Sequence, residues 1–215
     1  MSDQVRIVGA GGFGREVAAM VHAIDSRSVI SFVDDGMPVG TLVDGHEVTG
    51  GVDTLTDVAP ANRWGTIALA IGNISVRQRV FESVKAAGYP LLTLVDPTAC
   101  VRGRASLGEG VIICPSCVVS CGASVGDNTV LNIGAILGHD SMVGSHCNLN
   151  PGSIVLGDCA LGQGVELGAG SQILRGVEIG SGVSVAMGAS VFRSETRSGL
   201  LIGNPARLMP SRDGD

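Results

Sequence analysis

From Val101 to Val191 an apolar branched residue recurs at every sixth position without a slip, and few folds can use such a period. The series opens Val101, Leu107, Ile113, Val119 and closes Ile173, Ile179, Val185, Val191, sixteen hexads in all. Two residues before each stands a small or β-branched side chain, as in Ala105, Cys117, Ser141 and Ala189. Six matches neither the 3.6-residue turn of an α-helix nor the simple alternation of a half-buried strand. It suits a coil of short rungs, each sending one long and one small side chain inward. Three hexads per triangular turn make about five coils, stacked at the usual strand spacing of ~4.8 Å. Gly follows the long residue at Gly108, Gly126, Gly138, Gly144, Gly162, Gly168 and Gly180, where the chain bends. There it is expected to supply unusual backbone dihedrals.

Before Pro97 the pattern is that of an α/β unit. Val5 to Gly9 reads as a strand and Gly9-Ala10-Gly11-Gly12-Phe13-Gly14 as a GxGxxG turn. A helix follows, with Val17, Met20, Val21 and Ile24 on one face. Val29 to Val33 is a second strand ending in Asp34-Asp35, and Thr66 to Ile71 a third ending in Gly72-Asn73. A helix from about Ser75 to Ala87 stops at Gly88, and Leu91 to Val95 is expected to close the sheet. Strand, glycine turn, helix and a distal acid form a recipe for a diphosphate at a helix N-terminus with a carboxylate on the sugar. About ninety-five residues hold one mononucleotide-sized half rather than the pair that NAD spans. The competing structural reading is that the glycines only make a tight turn. Arg77, one turn into its helix, is a weaker candidate for a phosphate contact and reads rather as a surface charge.

A net charge of −6 gives no reason to expect nucleic-acid binding, and the single lysine, Lys85, excludes a P-loop. Neither a secretory leader nor a long apolar run is visible, so a cytoplasmic protein without a membrane span is expected. Of six cysteines, Cys117, Cys147 and Cys159 fall in the small inward slot and read as packing residues. Cys114 and Cys117 form a CxxC, but no second pair or suitably spaced histidine completes a zinc site, so no metal is expected.

His139-Asp140 directly follows Leu137-Gly138, which sets an imidazole beside a carboxylate at a corner outside the prism. Such a pair can act as a general base, the acid fixing the tautomer. A solvated loop histidine is the plainer alternative. His146, one hexad on, also reads as outward-facing and without a partner, hence as surface.

The opening Val8-Gly9-Ala10-Gly11-Gly12-Phe13-Gly14-Arg15-Glu16-Val17, the coils with Gly138-His139-Asp140, and the ending Gly203-Asn204-Pro205-Ala206-Arg207 together resemble the NeuD/PglD family of bacterial sugar acetyltransferases. The resemblance covers nearly the whole chain and supplies the hand of the coil. It implies a small Rossmann-like α/β nucleotide-sugar-binding domain over residues 1–96 and a left-handed parallel β-helix acetyltransferase domain over 97–215. It further implies transfer of acetyl from acetyl-CoA to a nucleotide-linked amino sugar by a homotrimer, with the cofactor lying between neighbouring subunits. On that likeness His139 would be the base and Asp140 its orienting acid. Gly11, Gly12, Phe13, Asp34, Asp35 and Gly72 would line the nucleotide site. Asn148, near the thioester, and Ala169 and Met187, through backbone groups, would hold acetyl-CoA. Two departures stand out: Asn148 replaces a second histidine, and Phe13 replaces a glycine-loop histidine found in some members.

Three rivals follow. Sugar O-acetylation is the nearest, since a hydroxyl would lean on the base even more. A zinc lyase of the γ-carbonic-anhydrase kind shares the coil but needs three histidines, where the repeats hold only His139 and His146. A NAD-binding or non-catalytic scaffold is the third.

Overall fold

The computed structural model describes residues 4–56 and 65–209, and the chain divides into two compact units, Met1–Pro97 and Thr98–Asp215. In the first, β1 (Gln4–Val8), β2 (Val29–Val33) and β5 (Thr66–Leu69) form a parallel sheet in the order β2-β1-β5. Their near-continuous apolar runs suit strands covered on both faces. Ile7, Phe32 and Ile67 are fully buried. Between β2 and β5 lie a short hairpin, β3 (Leu42–Val43) and β4 (His46–Glu47), and a single helical turn, α2 (Asp53–Thr56).

The helix after the glycine turn, α1 (Gly12–Ile24), buries Val17, Met20 and Val21 as expected. Ile24, its last residue, is instead 54% exposed. The next helix, α3 (Ile74–Ala86), is capped by the Asn73 side chain, which accepts from the Val76 amide at 3.0 Å, and it ends before Gly88 at φ +79°. Two further expectations need correcting. Arg77 is not a surface charge: it is 1% exposed and donates to the Ile71 carbonyl at 2.8 Å, satisfying a backbone acceptor where β5 ends. Nor does Leu91 to Val95 close the sheet. Only Leu91 bridges to Ile67, and the two-residue strand β6 (Leu94–Val95) lies outside that sheet.

The second unit is a parallel β-helix whose sixteen rungs fall on the sixteen hexads. Each rung pairs with the one eighteen residues on, Val101 with Val119 and Val119 with Leu137, which fixes three hexads per turn. Face one stacks six rungs from Cys100–Val101 to Ser190–Val191, and face two stacks five from Ser106–Leu107 to Glu178–Ile179. Face three runs from Ile112–Ile113 to Val183–Val185 and is extended by Gly199–Gly203 and an antiparallel strand, Ala206–Met209. The long residues from Ile113 onward are buried, so one apolar column fills the prism.

The small slot has a second use. Thr129 Oγ1 donates to the Gly144 carbonyl at 2.9 Å and Ser141 Oγ to Leu156 at 2.8 Å. The Cys147 and Cys159 thiols reach Gly162 and Leu174, each at 3.2 Å. These thiols and hydroxyls tie the side chain of one coil to the corner of the next. Corner geometry is also periodic: every sixth residue from Arg104 to Gly188 has positive φ. Glycine fills nine of those positions and Arg104, Ser116, Asn128, Asp140, His146 and Asp158 the other six. The glycines after the long residues are not among them, which corrects the dihedral explanation. A Cβ on Gly126, Gly138, Gly144, Gly162 or Gly168 would come within 2.5–2.7 Å of backbone in the next coil, so glycine is required there by close approach.

Candidate active site

The four glycines of the first turn separate into two kinds. Gly9 has φ +101° and a Cβ there would meet the Ala70 carbonyl oxygen at 2.6 Å, while one on Gly14 would collide with the Gly9 carbonyl. The fold requires both. Gly11 and Gly12, like Gly72 on the neighbouring strand end, have nothing within 4 Å of a notional Cβ and no positive φ. Nothing among the described residues demands glycine at these three positions, whose open surroundings let another molecule approach the backbone. Gly11 caps α1 without a side-chain hydrogen bond, and the first turn carries no acid, as an anion-accepting helix start should.

Beside that turn is a cavity of about 460 Å³ at the carboxyl ends of the strands, lined by Gly9, Asp34, Asp35, Asp53, Arg79 and Ser83 among others. Of the expected nucleotide residues only Asp34 and Asp35 line it; Gly11, Gly12 and half-buried Phe13 belong to the adjoining turn, and Gly72 follows the lining residue Ile71. Asp34 also has a structural duty, accepting from the Ala10 and Gly36 amides, each at 2.8 Å. Asp35 Oδ1 accepts from Val52 at 2.7 Å. Asp53 and Arg79 were not picked out in the sequence, where each reads as an ordinary helix charge.

On the β-helix, His139 stands at the corner between faces one and two, 47% exposed, with Nδ1 2.9 Å from Asp140 Oδ2. A carboxylate can only accept, so Nδ1 carries the hydrogen and Nε2 is left with its lone pair. The ring lies against Gly157, where a Cβ would come within 2.5 Å of Nε2, and the Asp140 carboxylate lies against Gly122 in the same way. Two glycines thus make room for the pair. The next coils of this corner add Asp158 and Arg175, joined by a 2.6 Å ion pair. His139, Asp140 and Asp158 are the one group of three potential metal ligands found among the described residues.

The expected cofactor residues lie elsewhere on the prism. Asn148 is on face three and only 6% exposed, between Val130 and Glu166. Ala169 and Met187 occupy successive coils of the corner between faces three and one, Met187 being 78% exposed, and the Ala169 carbonyl accepts from the Gly188 amide. A single chain therefore does not bring His139 together with these three. The sequence reading also missed a cavity of about 560 Å³ at the end of the coil, lined by Arg193, Arg197 and Arg207 with Glu195 and Phe192. Its signal was present: four of the thirteen arginines fall in residues 193–212. Arg197 hydrogen-bonds Glu195 and holds its carboxyl down to about 2.

His146 also needs correcting. It is 7% exposed, not surface, with Nδ1 accepting from the Asn128 amide nitrogen at 2.7 Å. Both residues sit at left-handed positions of the corner between faces two and three, where the side chains stack one coil apart. The sequence also left His22 and His46 unnoticed. Their Nε2 atoms are 3.2 Å apart and the rings stack, joining α1 to the β3–β4 hairpin.

An α/β unit followed in the chain by a hexapeptide coil is the architecture shared with solved bacterial sugar acetyltransferases. Residues 4–84 match the PglD N-terminal domain family, and the likeness to the NeuD/PglD proteins is thereby borne out. Among curated proteins the chain is 30% identical over 110 residues to UDP-N-acetylbacillosamine N-acetyltransferase of Bacillus subtilis. It is 31% identical over 114 residues to GDP-perosamine N-acetyltransferase of Escherichia coli O157:H7. Each match covers 51% of this chain and 50% of the relative, so the chain spans about half the length of the curated relatives it matches. Among solved structures, the acetyltransferase domain of PglB from Neisseria gonorrhoeae, in complex with acetyl coenzyme A, superposes with a TM-score of 0.90 at 28% identity, covering 97% of this chain and 100% of that one. PerB from Caulobacter crescentus, in complex with CoA and GDP-perosamine, gives 0.89 at 28% identity over 96% and 97%.

Proposed function

We propose that this protein is an acetyl-CoA-dependent N-acetyltransferase acting on a nucleotide-linked amino sugar by direct transfer. The observation that carries the reading is the His139–Asp140 pair, with Nε2 directed away from its carboxylate and resting over Gly157. In that tautomer Nε2 accepts a proton from the acceptor nitrogen as the nitrogen attacks the thioester. Asp140 steadies the resulting imidazolium. A thioester is already activated, so no acyl-enzyme is required. General-base assistance of this kind contributes ~10² to 10⁴ in rate.

The nucleotide fits the first unit. Its diphosphate meets the amide-rich start of α1 at Gly11, Gly12 and Phe13. Asp34, Asp35 and the edge at Gly72 face the remainder, in a cavity of about 460 Å³, a volume suited to one nucleoside. Acetyl-CoA is assigned to Asn148, Ala169 and Met187, and the arginine-lined cavity at the end of the coil is matched in charge to its phosphates. Because His139 and these residues occupy different edges of one prism, the reaction needs a second copy of the chain to complete the site, which a homotrimer supplies. No helix among the described residues is long and apolar enough to cross a membrane. With acetyl-CoA as the donor, we assign the protein to the cytoplasm.

Purified protein supplied with acetyl-CoA and a panel of UDP-, GDP- and dTDP-linked amino sugars tests the proposal. An alkali-stable amide is the expected product. An alkali-labile ester would move the assignment to O-acetylation, and thermal stabilisation by NAD but not by acetyl-CoA would overturn it.

A further inference from the structure

The corner that carries His139 holds a second carboxylate with no part in the imidazole pair. Asp158 lies one coil beyond Asp140 in left-handed backbone, φ 58°, and its amide donates to the His139 carbonyl at 2.9 Å. Arg175, a coil further, places Nε at 2.8 Å and Nη2 at 2.6 Å from the same oxygen, Oδ2. This clamp fixes the carboxylate without engaging Oδ1. The His139 bond likewise engages only Oδ2 of Asp140. Asp158 Oδ1, Asp140 Oδ1 and His139 Nε2 are thus three acceptors with no hydrogen bond from the described residues. One nitrogen of His139 and one oxygen from each acid lie within 4.8 Å of one another, all on exposed side chains.

Resting on the acetyltransferase reading above, we propose that Asp158 determines acceptor specificity by receiving the protonated amine of the sugar. A primary ammonium carries one charge and several N–H donors, which suit a corner where two carboxylates and an imidazole cluster. A divalent metal suits the place less well, since Arg175 already sets a positive charge on Asp158. A sugar hydroxyl offers a single donor and no charge, so it would leave a carboxylate desolvated without compensation. Asp158 therefore selects amines over alcohols.

The proton count closes. The bound R–NH3+ gives its first proton to His139 Nε2, which passes it to water. The freed lone pair then forms the C–N bond at the thioester carbonyl. As the C–S bond breaks, His139 carries a second proton from nitrogen to the departing sulfur, and the third stays on the amide.

The test is steady-state kinetics of the full-length Asp158→Asn enzyme with the amino sugar the wild type accepts, across pH 6 to 9. Asparagine keeps the shape and can still accept from Arg175 while removing the charge. The KM for the amine should rise at least about tenfold, as expected for a lost charged hydrogen bond. The KM for acetyl-CoA and the Tm should hold, and the pH dependence of the amine KM seen in the wild type should flatten. Arg175→Gln, which loosens the clamp, should raise the same KM by less. An unchanged amine KM in Asp158→Asn, with the wild type active, overturns this role alone. Wild-type activity abolished by a chelator and restored by a divalent metal overturns it in favour of a metal at the cluster. A wild type that acetylates no amino sugar overturns the acetyltransferase reading as well.

Discussion

Two histidines seven residues apart, on adjacent corners of the same coil, end in opposite situations. His139 lies flat on a glycine, half exposed and bonded to a carboxylate. His146 is enclosed, occupies a left-handed backbone position and takes a hydrogen bond from an amide. The contrast shows that the period of six assigns a residue to a corner without saying what covers that corner. Chemistry is possible at the open one. At the closed one the imidazole completes a polar stack inside the protein.

The largest test of this contrast is His139→Ala. It should lower kcat by ~10² to 10⁴ with little change in Tm, because an exposed ring resting on backbone adds little packing. An unaltered kcat would remove His139 from the chemistry and leave the two histidines functionally alike. Next is Gly157→Ala, where the backbone tolerates a side chain but the new methyl would meet the imidazole at 2.5 Å. Displacing the base by about an ångström should cost about 10² in kcat, measured with Tm as the control for folding. His146→Ala should do the reverse, lowering stability by about 1–3 kcal/mol in chemical denaturation by stripping a partner from buried Asn128, with kcat nearly retained. A kcat loss as large as that of His139→Ala would break the distinction.

The smallest effect concerns the histidine pair of the first unit. Burial, then the neighbouring His22, holds His46 below the ordinary imidazole value of 6.5. A depressed histidine contributes stability that is present above its unfolded value and lost as pH falls through the folded one. Acidification below about 6.5 should therefore loosen the β3–β4 hairpin. Amide exchange at residues 42–47 would report it, and His46→Phe should flatten the response.

The sixteen rungs were legible residue by residue because a buried column enforces its own period on the chain. The His139–Asp140 pair was legible too, since adjacency in sequence set the contact. Other features depend on atoms distant along the chain. Arg77 looks like any helix-surface arginine until the Ile71 carbonyl is seen beside it, and His146 like any loop residue until Asn128 is found one coil away. The glycines after the long residues were recognised, but their reason was not: the crowding at Gly162 comes from Ser181, nineteen positions on. The separation of His139 from Ala169 and Met187 is likewise invisible until hexads are assigned to faces.

Register at eighteen residues also makes the coil a screw gauge for insertions and deletions. Excising eighteen residues from the stack would shorten it by one strand spacing, ~4.8 Å, and leave every remaining edge with its original azimuth. Excising six would turn all that follows through a third of a revolution, carrying Met187 from its own edge to the neighbouring one. The distance between the base and the arginines at the far end is therefore adjustable only in whole-coil steps.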